Sequence, residues 1–203
     1  MADNGWNEDK LGKEEQRQRK RMAVLRTGAR LFNELGFDRT SLTDIADELN
    51  VSKRTLYYYV KNKDDILFQC SRLAMEFMAD EIIKSKEATS PALHRIESLM
   101  RAYMDLLSNE FGACLVLCQD NVLSADCQKI LRQERALLDH RVRDLINEGI
   151  KDGSVSPCNP RYATAALFGS FNWVPHWNKT GNTQSYKDVA DQFLKIYIKG
   201  LSA

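Results

Sequence analysis

The chain has 203 residues, of which 43% are hydrophobic and 28% charged, with a net charge of +1. That length suits one large or two small domains with a real core, and no apolar run approaches the ~20 residues needed to span a membrane. The first residues lack the apolar stretch of a signal peptide, so a cytoplasmic location is expected.

Residues 1–12 read as a disordered arm, polar and without periodicity. A first helix is predicted from there to Leu35, because Met22, Leu25, Ala29 and Phe32 recur at three- and four-residue spacing. It is crowded by Arg17, Arg19, Lys20, Arg21, Arg26 and Arg30. Up to Lys63 the chain holds 13 Lys and Arg against 10 Asp and Glu; the remainder holds 16 against 18. A charge run is usually a solvated helix face. Lying directly before a two-helix motif, this one also points to phosphate.

Gly36 supplies a helix stop. Ser41 N-caps a second helix, and Asp44, three residues on, completes a capping box. Ile45, Ala46 and Leu49 face inward. Asn50 marks the turn, since Asn tolerates the left-handed conformation better than most residues. Ser52 caps a third helix, which Leu56 and Val60 anchor. With Leu56 buried, Arg54 and Tyr58 point outward and Thr55 and Tyr57 flank them. Tyr57, Tyr58 and Tyr59 cannot all face one core. A helix with one packed face and Lys, Arg, Thr and Tyr on the other suits a DNA major groove. Arg54, and Lys53 similarly, can bond guanine O6 and N7, which discriminates by about 1–3 kcal/mol. Tyr57 and Tyr58 can pack on thymine methyls or bond phosphate.

Asn62 caps a long helix from Lys63 to about Ser85, whose broad apolar face (Ile66, Cys70, Leu73, Phe77, with Leu67, Ala74 and Met78) implies several neighbours. Pro91 opens a helix ending near Asn109, and residues 111–119 form a short buried one. Ser124 caps another long helix, which Gly153 ends. Asn159-Pro160 opens the penultimate helix and Ser185 the last. The chain is all-α with about nine helices: a three-helix helix-turn-helix domain (13–62), then a larger helical domain (63–203).

Cys114 and Cys118 share a helix face, the only such pair among five scattered cysteines. Buried free thiols are the ordinary reading, a redox or metal pair the alternative. His94, His140 and His176 lack metal-ligand spacing and read as ordinary helix residues.

The apolar first helix, Gly36-Phe37, Thr40-Ser41, Asp44-Ile45-Ala46, Val51-Ser52, Thr55-Leu56-Tyr57 and Lys63 together resemble the tetracycline-repressor (TetR) family over about Arg21 to Leu67. Val60 departs from the phenylalanine common there. The resemblance implies a homodimeric, all-helical transcription regulator, usually a repressor, on a pseudo-palindromic double-stranded operator. Residues 63–203 would then be the ligand-binding and dimerisation domain, and a small molecule in it would release the operator. The expected DNA-binding set is Thr40, Ser41, Thr43, Ser52, Lys53, Arg54, Thr55, Tyr57, Tyr58, Tyr59 and Lys63. Of these, Thr40, Thr55, Tyr59 and Lys63 match positions that mostly hold the backbone.

Small residues Ala166, Gly169 and Ser170, with Val189, Phe193 and Tyr197 on a last helix apolar on two sides, look like half of a four-helix dimer interface, as in the family. Phe77, Met78, Met100, Tyr103, Met104, Leu107, Phe111 and Leu115, large or flexible, suit an adaptable pocket, though such a stripe also suits plain core. The run from Phe171 through Trp173 to Trp177, with Gly181 after it, is similar to a family branch that senses acyl-coenzyme A thioesters. Trp173 therefore joins the pocket set, and the expected effector is an acyl-CoA or another hydrophobic ligand. No cofactor or metal is expected. An acyl-thioester enzyme is the rival class, but no Ser/His/Asp or Cys/His arrangement is visible. A ligand-free architectural DNA-binding protein, with a filled C-terminal core, is the third.

Overall fold

The computed structural model describes residues 12–178 and 184–201. Nearly all of the expected arm, and Gly181, lie outside the described residues. Among the described residues the chain forms nine α-helices and one 3₁₀ turn, with no strand. No helix among them is long and apolar enough to cross a membrane.

Helices α1 (Lys13–Leu35), α2 (Leu42–Glu48) and α3 (Lys53–Leu56) form an N-terminal head. The chain leaves α1 at Gly36, where φ is +94°, a conformation that costs glycine little. Ser41 Oγ accepts the Asp44 amide while Asp44 accepts the Ser41 amide, so the predicted capping box is complete. Asn50 turns the chain between α2 and α3 with φ +54°. Ser52 caps α3. The third helix is shorter than its periodicity predicts. Beyond Leu56 the amides of Tyr58 and Tyr59 reach back only three residues, to Thr55 and Leu56. This tightened turn lets Val60 drop into the core before Asn62, in extended conformation, caps the next helix.

The head's core joins Val24, Leu25, Ala29 and Phe32 to Ile45, Ala46, Leu49, Leu56 and Val60. It continues into α4 (Lys63–Glu87) through Ile66, Leu67 and Cys70, and takes in Cys114, Leu123 and Leu131. Further along, Ala74, Met75, Met78 and Ile82 belong to a second core. One helix therefore runs through both.

The second core is built from α5 (Ala92–Leu107), α6 (Glu110–Leu117), α7 (Ala125–Asp152), α8 (Pro160–Trp177) and α9 (Tyr186–Leu201). Helix α5 is its centre, packed on α4, α7 and α9, while α6 lies against α1 and α4. Asn33 of α1 donates to the Glu110 carbonyl at 2.9 Å, fixing α6 to the head. The approach of α6 to α5 is close: a Cβ on Gly112 would stand 2.1 Å from the Leu106 carbonyl oxygen.

Helix α5 starts one residue later than predicted, and Pro91 gives it no side-chain cap. Its orphan amides are met from the far end of α7 instead. Ala92 N–H donates to Asp152 Oδ2 at 2.9 Å and Leu93 N–H to Ser154 Oγ at 3.1 Å. The Ser154 hydroxyl, then the Ala92 amide, hold the Asp152 carboxyl below its ordinary 3.8. Ser41 lowers Asp44 in the same direction. A carboxylate with a depressed folded value stabilises the fold above its unfolded value, and that contribution is lost as pH falls through the folded one. Calorimetry at pH 7 should therefore give Asp152→Asn a lower Tm than the parent. Below about pH 4 the parent's Tm should fall further than the variant's. Equal acid sensitivity of the two proteins would contradict the cross-chain cap.

Candidate nucleic-acid interface and effector cavity

Around the buried Leu56, the side chains of Lys53, Arg54, Tyr57 and Tyr58 are exposed, Tyr58 at 72%. The Arg54 and Lys53 side chains make no hydrogen bond or ion pair among the described residues. Tyr59 is half-buried, its ring edge-on to Tyr58 at 5.3 Å, and burial pushes its phenol up. Ser41, Thr43 and Ser52 are exposed and Thr55 is half-buried. The Ser41 and Ser52 hydroxyls cap their helices, and Ser52 Oγ lies 2.8 Å from Thr55 Oγ1.

Two expected phosphate contacts are placed otherwise. Thr40 is buried, and its hydroxyl donates to the Gly36 carbonyl at 2.9 Å. Lys63 Nζ donates to the Phe37 carbonyl at 3.0 Å and lies 4.3 Å over the Phe37 ring. The loop between α1 and α2 leaves carbonyls without helix partners, and these two side chains satisfy them. Thr40 ties the loop back to the end of α1, and Lys63 ties it to α4. Part of the basic run is likewise structural: Arg30 pairs with Glu34 and Glu48, and Arg21 Nε donates to Gln69 of α4 at 2.8 Å.

Beside α6, a cavity of about 440 Å³ opens between α4, α5, α7 and α8. Met75, Leu115, Val116, Leu138, Phe168 and Trp173 make its apolar wall; Tyr103, Cys118, Asp120, Arg135, Asp139, Asn172 and His176 supply polar groups. Tyr103 donates to Asn172 Oδ1, and burial pushes its phenol up, keeping it a neutral donor. Arg135 forks onto Asp120 and reaches the Leu115 carbonyl at 3.4 Å. Trp173 stacks on His176 at 4.4 Å.

Of the pocket residues expected from sequence, Tyr103, Leu115 and Trp173 line this cavity. Met78, Met100, Met104 and Leu107 do not, being fully buried core. Phe111 packs against the head's core, and Phe77 is exposed on α4. Stripes at helical spacing face whatever core is nearest, so bulk alone did not separate lining from filling. The polar lining residues carry a signal of their own. Phe168, Asn172, Trp173 and His176 recur at one helix face of α8, and Arg135, Leu138 and Asp139 at one face of α7. His176, an ordinary helix residue by its sequence spacing, lies on that lining face.

On the outer side of α8 and α9, Ala166 and Gly169 are exposed beside Tyr162 and Ile196, which are 71% and 68% exposed. A Cβ on Gly169 would meet open space. Ser170 and Tyr197 are half-buried, with the Tyr197 hydroxyl bonded to Ala166 O and Ser170 Oγ. Phe193 packs edge-on to Phe171. Val189, expected at the dimer interface, is buried in the protomer's own core with Ala190 and Leu194. Ile196, about two turns further along the same side of α9, is exposed where Val189 is covered.

Residues 89–201, more than half the chain, match the family model of the tetracyclin repressor-like C-terminal domain, and residues 24–70 match that of the bacterial regulatory proteins, tetR family. The chain belongs to the tetR family. It is a DNA-binding transcription regulator that acts as a dimer. The tetR-family N-terminal match ends at Cys70, where the head's core also ends on α4.

The Fatty acid metabolism regulator protein of Bacillus subtilis (strain 168) is 24% identical over 195 residues, covering 92% of this chain and 97% of that protein. The fold is shared with the ketosteroid transcriptional regulator KstR2 of Mycobacterium tuberculosis: TM-score 0.82, 19% identity, 91% of this chain and 95% of that one. It is also shared with AibR in complex with isovaleryl coenzyme A and operator DNA: TM-score 0.75, 19% identity, 87% of this chain and 96% of that one.

Proposed function

We propose that this regulator is a repressor whose operator is released when an acyl-coenzyme A thioester, or a similar hydrophobic ligand, enters the cavity beside α6. Residues 13–62 act as the reading head and 63–203 as the effector and dimer unit. Lys53, Arg54, Tyr57 and Tyr58 read base edges, while Ser41, Thr43, Ser52, Thr55 and Tyr59 set the phosphate register.

One observation carries this reading: α4 has Ile66 in the head's core and Met75 in the cavity wall. Nine residues separate them, about 13 Å of helix. A ligand that displaces Met75 tilts the rod on which the head is mounted. Two heads of a symmetric dimer must stand about 34–36 Å apart to enter successive major grooves, so a tilt weakens binding. The ligand class follows from the lining. Leu115, Val116, Leu138 and Phe168 suit an acyl chain; Asn172, Arg135 and His176 suit a thioester carbonyl or anionic groups at the polar side. The names of the fatty-acid regulator and of the AibR complex with isovaleryl coenzyme A support the same class.

The exposed patch of Tyr162, Ala166, Gly169 and Ile196 is the proposed dimer face, where small residues let helices approach. Ile196→Glu places a charge there without touching the protomer's core. Sedimentation should then show monomers, and operator affinity should collapse with the dimer. A variant that stays dimeric would place the interface elsewhere.

For the effector, operator affinity is measured by fluorescence anisotropy with several acyl-coenzyme A chain lengths and with free coenzyme A. One acyl thioester should weaken operator binding roughly 5- to 150-fold, and free coenzyme A should not. An acyl thioester that binds the protein but leaves operator affinity unchanged would overturn the release mechanism.

A further inference from the structure

The cavity contains a feature that ligand binding does not require. Cys114 and Cys118 project from successive turns of α6 with their sulfurs 3.7 Å apart. Cys114 is fully buried, whereas Cys118 is partly exposed and lines the cavity. Cys118 is also the C-terminal cap of α6, with extended backbone (φ −91°, ψ 138°), so it can move without unwinding a complete turn. The other three cysteines lack this arrangement. Cys70 is buried with its thiol on the Leu25 carbonyl, Cys127 is half-buried near the start of α7, and Cys158 is exposed and alone.

We propose that Cys118 and Cys114 are a hydroperoxide-sensing dithiol, whose oxidation to a disulfide loosens the grip of the head on its operator. The reaction balances in two steps. The Cys118 thiolate attacks one oxygen of a hydroperoxide; the O–O bond breaks, giving Cys118 sulfenic acid and an alkoxide, which takes up the proton that the Cys118 thiol released and leaves as an alcohol, or as water when the oxidant is hydrogen peroxide. The Cys114 thiol then attacks the Cys118 sulfur, the S–O bond breaks, and water leaves with the Cys114 proton. Two thiols lose two electrons and two protons, and the hydroperoxide is reduced.

The roles follow from the site. Either thiol could donate across the 3.7 Å contact, but the hydrogen bond to Cys118 and burial both push the Cys114 thiol up, so Cys114 is the one that keeps its proton and donates. That hydrogen bond favours the Cys118 thiolate, against the opposing effects of its own burial and of Asp120. The thiolate is the nucleophile in such chemistry, and the cavity gives it access.

Closing the sulfurs from 3.7 Å to the roughly 2.0 Å of a disulfide draws Cys118 toward Cys114 and distorts the last turn of α6. Helix α6 lies against α1 and α4 and is bonded to Asn33 of the head. The distortion is therefore applied where head and effector unit meet. A bond made against helix geometry is also readily reduced, as a reversible signal needs. The effect on DNA rests on the operator reading above; the dithiol chemistry does not.

The test uses the reduced full-length protein treated with hydrogen peroxide or cumene hydroperoxide. Intact mass should fall by two hydrogens, free thiols should drop from five to three, and tandem mass spectrometry should link Cys114 to Cys118 rather than either of them to the neighbouring Cys70. Operator affinity should fall severalfold and return with dithiothreitol. A faster reaction with cumene hydroperoxide would assign an apolar hydroperoxide as the signal; a faster one with hydrogen peroxide would assign the small oxidant. Cys118→Ala should lose the response relative to its own reduced state. Cys114→Ala should stop at a Cys118 sulfenic acid that dimedone traps. Cys158→Ser should respond as the parent does. No mass change, or a disulfide between other cysteines, would overturn the dithiol assignment. A Cys114–Cys118 disulfide with undiminished operator affinity would overturn the switch. Failure of the reduced protein to bind any operator would instead count against the function proposed above.

Discussion

Arg54→Ala lowers operator affinity roughly thirty-fold to twenty-thousand-fold while leaving the fold intact. Arg54 is exposed on α3 and has no partner among the described residues, so its removal breaks nothing inside the protomer. A bidentate contact to guanine is worth about 1–3 kcal/mol, and a dimer makes it once in each half-site, hence about 2–6 kcal/mol in all. The loss should be specific: the variant binds its operator and an unrelated duplex more nearly alike. Lys63→Met supplies the contrast. Its ammonium is held by the Phe37 carbonyl and ring, so the substitution should lower Tm through the head and leave the salt dependence of DNA binding nearly unchanged. A lysine on phosphate would instead cut the slope of log affinity against log salt by about 0.9. Competition binding at several salt concentrations, with melting curves beside it, separates these outcomes. An Arg54→Ala protein with parental affinity would remove α3 from the interface.

The largest effect on stability is expected at Gly112. A methyl there would stand 2.1 Å from the Leu106 carbonyl oxygen and 2.5 Å from its carbon. Those atoms are backbone, so no rotamer change relieves the overlap; α6 must move off α5. Overpacking of that kind costs about 3 kcal/mol or more, which in a chain of this size lowers Tm by roughly 6–12 °C. Because α6 carries Leu115, Val116 and Cys118 into the cavity and bears on α1 and α4, the same shift should disturb effector response. Gly200→Ala is the control. Nothing lies within 4 Å of its added methyl, so alanine there should be neutral or stabilise by up to about 1 kcal/mol. A Gly112→Ala protein that melts with the parent would mean α5 and α6 do not approach as described.

The head was legible almost residue by residue because local chemistry decides it. The Ser41–Asp44 box, the left-handed Asn50 and the Ser52 cap each act within a few residues. Where a partner lies far along the chain, sequence is silent. Nothing near Pro91 announces that Asp152 and Ser154 cap α5, and nothing near Thr40 or Lys63 shows that both close a loop. The cavity divides in the same way. Its aromatic and aliphatic wall resembles core from sequence, so Met100 and Met104 were expected there and are instead packed in the middle of the bundle. Its polar members on α7 and α8, brought together only by packing, give the site its chemistry. On α9 the spacing puts Val189 and Ile196, seven residues apart, on the same side of the helix, and only the packing around each end shows that Val189 is covered and Ile196 exposed.

The central claim is that cavity and reading head are coupled through α4, and linkage gives it a direct test. If the ligand lowers operator affinity by some factor, operator DNA must lower ligand affinity by the same factor. Isothermal titration of an effective acyl-coenzyme A into the free protein and into the protein–operator complex measures that factor from the ligand's side. The account predicts weaker ligand binding in the complex, by the same roughly 5- to 150-fold found for operator release. Equal ligand affinity with and without operator would contradict it.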